Sequence, residues 1–269
     1  MLLAADIGNT NVVLGLVDDA GDLVASVRTA TRRDATRDEI SMVVAHLARG
    51  LPDGVAGVSR TVVCSVVPSL TSAFLAFVRD ELGHEPLVIR GDSPLGIPVE
   101  LDDPRELGAD RLVNALAALA DVGAPAVVVD LGTATTFDCV DARGRYVGGI
   151  IAPGIETSAE ELFRRAARLS KVDLKFPERV IGRNTRDGLR SGILRGSVGM
   201  IDGIVNGIWQ ELAMKGKTIA TGGLAPLVGP HCRSIDRVDV NLTLRGLVLA
   251  DRIHREGNEF RIDGARQGA

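Results

Sequence analysis

The chain has 269 residues, 45% of them apolar and 25% charged, the balance of a soluble globule with a substantial core. Its 31 Lys and Arg against 35 Asp and Glu leave a net charge of -4, and six Phe, one Trp and one Tyr are few, so it has neither the basic stripe nor the stacking aromatics of a nucleic-acid binder. The cysteines Cys64, Cys139 and Cys232 form no CxxC pair, no basic leader precedes Asp6, and no apolar run nears the ~20 residues of a membrane span; a cytoplasmic protein with reduced thiols and no membrane partner is expected.

The chain opens as a β-meander. Residues 2–7 are apolar, a Gly-Asn-Thr-Asn turn follows, and VVLGLV and LVASVRT flank the polar turn Asp18 to Asp22, predicting three antiparallel strands. Thr36-Arg37-Asp38-Glu39 has the spacing of a capping box, in which a hydroxyl and a carboxylate reciprocally satisfy free amides, so a helix is expected from there. A buried strand at 61–67, a helix from about Ser69 to Leu82 and a short strand at 87–90 come next. The turn-rich stretch 91–104 leads to a helix that opens around Gly108 to Arg111 and stops at Gly123 and Pro125.

From residue 125 the opening pattern returns: a strand AVVVDLG, a strand TTFDCV, the turn Asp141 to Gly144, a strand RYVGGII and a helix over about 155–170. A long helical stretch at 187–214, a strand at 217–223 and a helix at 242–255 complete the second half. We read an internal duplication, with domains at 1–120 and 121–257 and a flexible tail at 258–269.

The two halves share one motif. DIGNTN (6–11) and DLGTATT (130–136) each place Asp at a strand end, then Gly, then small polar residues. Glycine after a strand lets backbone approach a ligand, successive free amides suit an anion, and the aspartate suits Mg²⁺ or its waters. A single copy is equally a hairpin turn, since these are ordinary turn residues; two copies, joined by the later Thr221-Gly222-Gly223, favour phosphate binding. Gly216-Lys217-Thr218 imitates the end of a Walker A loop, but the required earlier glycine falls at Glu211. His46, His84, His231 and His254 show no metal-binding spacing.

The pattern resembles the superfamily of sugar kinases, actin and heat-shock ATPases. More narrowly, DIGNTN, TRDE (36–39), SVVP (65–68), PRELGADR (104–111), VVDLGTATTFD (128–138), GGIIAPG (148–154), Asn184-Thr185, TGGLA (221–225) and LTLRGL (242–247) are similar to the type III pantothenate kinase family over about residues 2–250. The resemblance implies an α/β fold of duplicated RNase H-like (actin-like ATPase) domains, each a mixed five-stranded sheet with flanking helices, that clamp ATP. It implies phosphorylation of pantothenate to 4′-phosphopantothenate, the first step of coenzyme A biosynthesis.

Residue by residue, the resemblance gives the ATP phosphates and Mg²⁺ to Asp6, Ile7, Gly8, Asn9, Thr10, Asn11, Val12 and Val13. A further ATP contact falls to Thr133, and pantothenate to Gly108, Ala109, Asp110, Arg111 and Thr185. Asp130 is implied as the ligand of a monovalent cation, K⁺ or NH₄⁺. All four lysines, Lys171, Lys175, Lys215 and Lys217, are remote in sequence from both Asp-Gly turns, so backbone amides and metal ions must meet the triphosphate charge.

Asp110 is the catalytic candidate. A carboxylate at a helix start can accept a hydroxyl proton or merely complement the helix dipole; the residues leave these even, and the resemblance selects catalysis. Arg111 suits a substrate carboxylate through its fork, or an ordinary ion pair. Where many relatives have a substrate-contacting tyrosine, this chain has Leu101. A homodimer is also implied; the apolar pattern of 193–209 fits a dimer face or a core helix equally. Two alternatives stand beside this reading: a non-catalytic transcriptional accessory factor of the same fold, and a superfamily kinase for another small alcohol.

Overall fold

A computed structural model describes residues 1–51, 53–166 and 169–257, so the expected tail at 258–269 lies outside the described residues. The chain divides into two compact units, one comprising Met1–Ile97, Asp102–Ala117 and the chain from Leu242 onward, the other Pro98–Leu101 and Ala118–Asn241.

In the first unit β1 (Leu2–Ile7), β2 (Asn11–Val17) and β3 (Leu23–Ala30) form the meander, followed by α1 (Arg37–Leu47), β4 (Arg60–Ser65), α2 (Pro68–Phe77), β5 (Leu87–Ile89) and α3 (Ala109–Val122). The boundary between the units falls inside α3. β4 adds parallel to β1 and β5 parallel to β4, giving the order β3-β2-β1-β4-β5. α1 starts as its sequence demands: Thr36 accepts from the Glu39 amide and the Glu39 carboxylate accepts from the Thr36 amide.

The period-two alternation of β1 sends Leu3, Ala5 and Ile7 into one core with Val44, Phe74 and Phe77. Asp6 lies on the opposite face, with Ala4 and Leu2. α7 (Leu242–Glu256) lies against β1, β2 and β4. Arg60 of β4 is ion-paired there with Asp251, which also accepts from Arg255 Nε at 3.0 Å.

The second unit repeats the plan. β6 (Ala126–Leu131), β7 (Ala134–Val140) and β8 (Tyr146–Pro153) are antiparallel, followed by α4 (Ile155–Arg165), α5 (Thr185–Glu211), β9 (Lys217–Thr221), α6 (Ala225–Val228) and β10 (Arg237–Val238). β9 runs parallel to β6 and β10 parallel to β9, so the order β10-β9-β6-β7-β8 is that of the first sheet read from its other edge. Even the register shifts correspond, at Leu16/Val17 and at Cys139/Val140.

The α4 helix ends at Arg165, earlier than its sequence pattern suggests, and α5 runs over Thr185–Glu211, beginning where Asn184 accepts from the Asp187 amide at 2.9 Å. The strand β10 and the one-turn α6 escape sequence reading because they are too short to show a period.

Candidate functional site

In the first unit the C-terminal end of the central strand β1 delivers the turn that joins it to β2. The Gly8 amide donates to Asn11 O at 2.9 Å, closing the turn, and a Cβ at residue 8 would sit 3.0 Å from that same oxygen. Asp6 and Ile7 end β1, Gly8 to Thr10 form the turn, and Asn11 to Val13 begin β2. Asn9 and Thr10 are exposed, and Asp6 is half-buried. The turn's outer surface is therefore bare backbone and short polar side chains, a shape suited to an anion.

Gly108, Ala109, Asp110 and Arg111 form the start of α3. The Asp110 Oδ1 accepts from the Arg111 amide at 2.9 Å, and a Cβ on Gly108 would lie 2.4 Å from that oxygen. Only glycine at 108 leaves the carboxylate its place. Leu112 N–H donates to Gly108 O at 3.1 Å, so the first helical turn is formed.

Cys64 ties the two motifs together. Parallel pairing puts it level with Asp6, and its thiol donates to Asp6 Oδ1 at 3.5 Å. Burial first, then the negative charges of Asp6 and Asp110, push the Cys64 thiol well above its ordinary 9.0. Both carboxylates, 104 positions apart in the chain (110 less 6), thus lie within electrostatic reach of one neutral buried sulfur. The sequence marked both aspartates but not Cys64, whose place depends on strand register.

In the second unit Gly132 N–H donates to Ala134 O at 3.1 Å in the matching turn. Asp130 is half-buried at the end of β6. Gly222, at φ 91°, passes so close that a Cβ would meet Asp130 Oδ1 at 2.4 Å and Leu131 backbone at 2.7 Å. The strand-end glycine thus lays its backbone against the carboxylate. Exposed Thr133 offers its carbonyl to Thr157 Oγ1 at 2.8 Å, and a Cβ on Gly154 would fall 2.0 Å from that carbonyl oxygen.

Thr185 is the first residue of α5 and is exposed; among the described residues it makes no hydrogen bond to another predicted site residue. Leu101 lies by Gly148, 3.9 Å from where a Cβ there would stand, in the short segment whose Val99 bridges to Tyr146.

The residues fit a magnesium nucleotide. Among the described residues no three His, Cys, Asp or Glu gather as a metal cage. A hydrated Mg²⁺ held by one carboxylate such as Asp6 and by phosphate oxygens needs none. Asp130, an oxygen ligand beside bare backbone, likewise suits a hard cation.

A family model for type III pantothenate kinase matches residues 2–207. The chain is 45% identical over 248 residues to the type III pantothenate kinase of Moorella thermoacetica, covering 92% of this chain and 97% of that one. Among solved structures, it resembles a Campylobacter jejuni protein described as a conserved Baf family transcriptional activator, with TM-score 0.57, 19% identity and coverage of 95% and 98%. It also resembles the activator of 2-hydroxyisocaproyl-CoA dehydratase from Clostridium difficile, solved with ADPNP, with TM-score 0.50, 11% identity and coverage of 98% and 99%. At those identities the structural likeness shows the fold alone, the paired mixed sheets of the actin-like ATPases and sugar kinases.

Proposed function

The chain belongs to the type III pantothenate kinase family, and on that premise we propose that it transfers the γ-phosphoryl group of ATP to the 4′ hydroxyl of pantothenate. The products are ADP and 4′-phosphopantothenate, and the reaction opens coenzyme A biosynthesis. The observation that carries the assignment is Cys64, whose thiol donates to Asp6 of the phosphate turn and also feels the negative charge of Asp110 at the α3 start.

The Asp6 to Val13 segment holds the β and γ phosphates, and Thr133 makes a further contact to the nucleotide. Mg²⁺, when bound through Asp6 or its waters, neutralises charge on the phosphate oxygens. Gly108, Ala109, Arg111 and Thr185 hold pantothenate, the Arg111 fork suiting its carboxylate. The hydroxyl oxygen bonds to the γ phosphorus and the bond from that phosphorus to the bridging oxygen breaks. The hydroxyl proton passes to the Asp110 carboxylate and on to water. Because such transition states are loose, Asp110 contributes chiefly by aiming the hydroxyl.

Asp130 is proposed as the ligand of K⁺ or NH₄⁺. A homodimer is proposed as well, supported by an apolar groove of about 380 Å³ between α4 and α5, lined by Ile155, Leu162, Leu189, Ile193 and Met200. A cytoplasmic location is proposed alongside this activity; no described helix is long and apolar enough to cross a membrane. The regulator reading is not favoured, since the 45% identical relative carries the kinase name and Asp6, Asp110 and Asp130 are all present.

The test is ADP release with Mg-ATP and K⁺, with and without pantothenate, in wild type and Asp110→Asn. We expect pantothenate-dependent turnover that falls about 10²- to 10⁴-fold in the variant, with circular dichroism unchanged. Turnover should also drop in potassium-free buffer. Wild-type protein that binds ATP yet gives no pantothenate-dependent ADP would overturn the reading, and undiminished Asp110→Asn would remove Asp110 from it.

A further inference from the structure

The four lysines, Lys171, Lys175, Lys215 and Lys217, all belong to the second unit. The phosphate turn of the first unit nevertheless has a cation of its own. The chain leaving β3 folds back over that turn: the Thr31 amide donates to Thr10 O at 2.8 Å, and Thr31 Oγ1 donates to Gly8 O at 2.6 Å. Two residues on, Arg33 Nη2 donates to Asn9 Oδ1 at 3.3 Å. Ser69 Oγ, in the first turn of α2, donates to Arg33 O at 3.0 Å and fixes the backbone there.

The neighbouring arginines are already committed. Arg32 pairs with Glu39 at 2.6 Å, and Arg37 pairs with Asp80 at 3.1 Å and with Glu81 at 3.6 Å. Arg33 makes no ion pair among the described residues; its exposed guanidinium is held to one neutral amide, that of Asn9, at the tip of the turn. A guanidinium has five donors in a planar fork that matches phosphate oxygens bidentately, and here most of them are uncommitted.

We propose that Arg33 is a phosphate-binding residue, which exchanges Asn9 Oδ1 for the terminal phosphate oxygens of ATP seated on the Gly8 to Asn11 turn. This deepens the kinase reading and rests on it. Its charge neutralises the triphosphate end beside a turn whose own unit carries no lysine, and the Thr31 and Ser69 bonds keep its backbone beside the turn.

Titration of ATP, and separately of AMP, into wild type, Arg33→Ala, Arg33→Lys and Arg32→Ala tests the assignment, with KM and kcat measured alongside. Arg33→Ala should weaken ATP binding about ten- to a hundredfold while AMP binding stays within about twofold. Arg33→Lys should recover part of the loss, and Arg32→Ala should stay near wild type. Equal ATP affinity in Arg33→Ala and wild type overturns the proposal, as does an equal loss for AMP, which would signal a general disturbance of the fold. A wild type that binds ATP but does not phosphorylate pantothenate sinks the kinase reading while the titration still decides on Arg33; a wild type that binds no ATP sinks both.

Discussion

Gly246→Ala is predicted to impair catalysis from a position in α7, within the core of the first unit. A Cβ at 246 would stand 2.1 Å from Val113 O, 2.6 Å from Val113 C and 2.9 Å from Val113 Cβ, where ordinary contact begins at 3.4 Å. The obstacle is backbone, not a flexible side-chain end, so α3 and α7 must part by roughly 1 Å or more. Overpacking of that kind costs about 1–3 kcal/mol. Parting also strains the 2.8 Å bond from Thr243 Oγ1 to buried Asn114, which adds roughly 1 kcal/mol. Alanine's better helix propensity returns about 1 kcal/mol, leaving a net loss of roughly 1–3 kcal/mol. Asp110 lies one helical turn before Val113, so the shift moves its carboxylate too, and a misplacement of about 1 Å can cost about a hundredfold in rate. Urea denaturation and steady-state kcat on the same preparation read both effects. A variant as stable as wild type with full kcat would refute the close-packing argument; lost stability with unchanged kcat would show that α7 alone yields and that Asp110 is positioned independently of this crossing.

Two further outcomes follow from buried charge. Asp251→Ala should lower unfolding free energy by about 2 kcal/mol, because Asp251 is 5% exposed and its removal leaves Arg60 only the 3.9 Å pair with exposed Asp19 and takes the acceptor from Arg255; a loss below about 1 kcal/mol in urea would contradict that account. Asp141 loses some hydration, but bonds from Arg145 and from the Arg145 and Arg143 amides outweigh this and hold its carboxyl below its ordinary 3.8. A depressed folded value means the contribution is complete above 3.8 and is lost as pH falls through the lower folded value. Asp141→Asn should therefore destabilise at neutral pH, with the gap to wild type closing as pH falls below 3.8 and through the lower folded value; a gap independent of pH would overturn this.

Much of this molecule was legible as period and punctuation. The strands β1 and β6 show as short apolar runs buried on both faces, the Asp-Gly turns mark where they stop, and the Thr36 and Glu39 pair announces α1 from spacing alone. What stayed hidden depends on pairing between distant segments. Cys64 reads in sequence as one more buried thiol, and only parallel register with β1 sets it beside Asp6. Arg33 looks like its neighbour Arg32 until the fold shows that Glu39 takes one and, among the described residues, no carboxylate takes the other. The placement of α7 with the first unit, after more than a hundred residues of the second, is likewise a packing fact that no local pattern encodes. The glycines of α5 blur its amphipathic stripe, which is why its ends were read two or three residues late.

In the proposed reading, the two copies of one turn serve two chemistries. In each unit the aspartate ends the central strand, and the residue level with it on the next parallel strand differs: Cys64 beside Asp6, Thr221 beside Asp130. The first unit fills that face with a buried neutral sulfur and sets the start of α3, with Asp110, within electrostatic reach of it. In the second, Thr221 leads straight into Gly222, whose positive φ and missing Cβ lay bare backbone against the carboxylate. The first turn closes from Gly8 to Asn11, while the second closes one residue sooner, from Gly132 to Ala134. The same sheet plan thus presents, in one unit, a carboxylate beside a buried thiol that also feels a second acid, which supports the proposed phosphoryl transfer, and in the other a carboxylate against a glycine backbone, which supports the proposed cation. Identity at the level of strand order and register coexists with divergence at the side chains that touch the aspartate, and those side chains decide the chemistry.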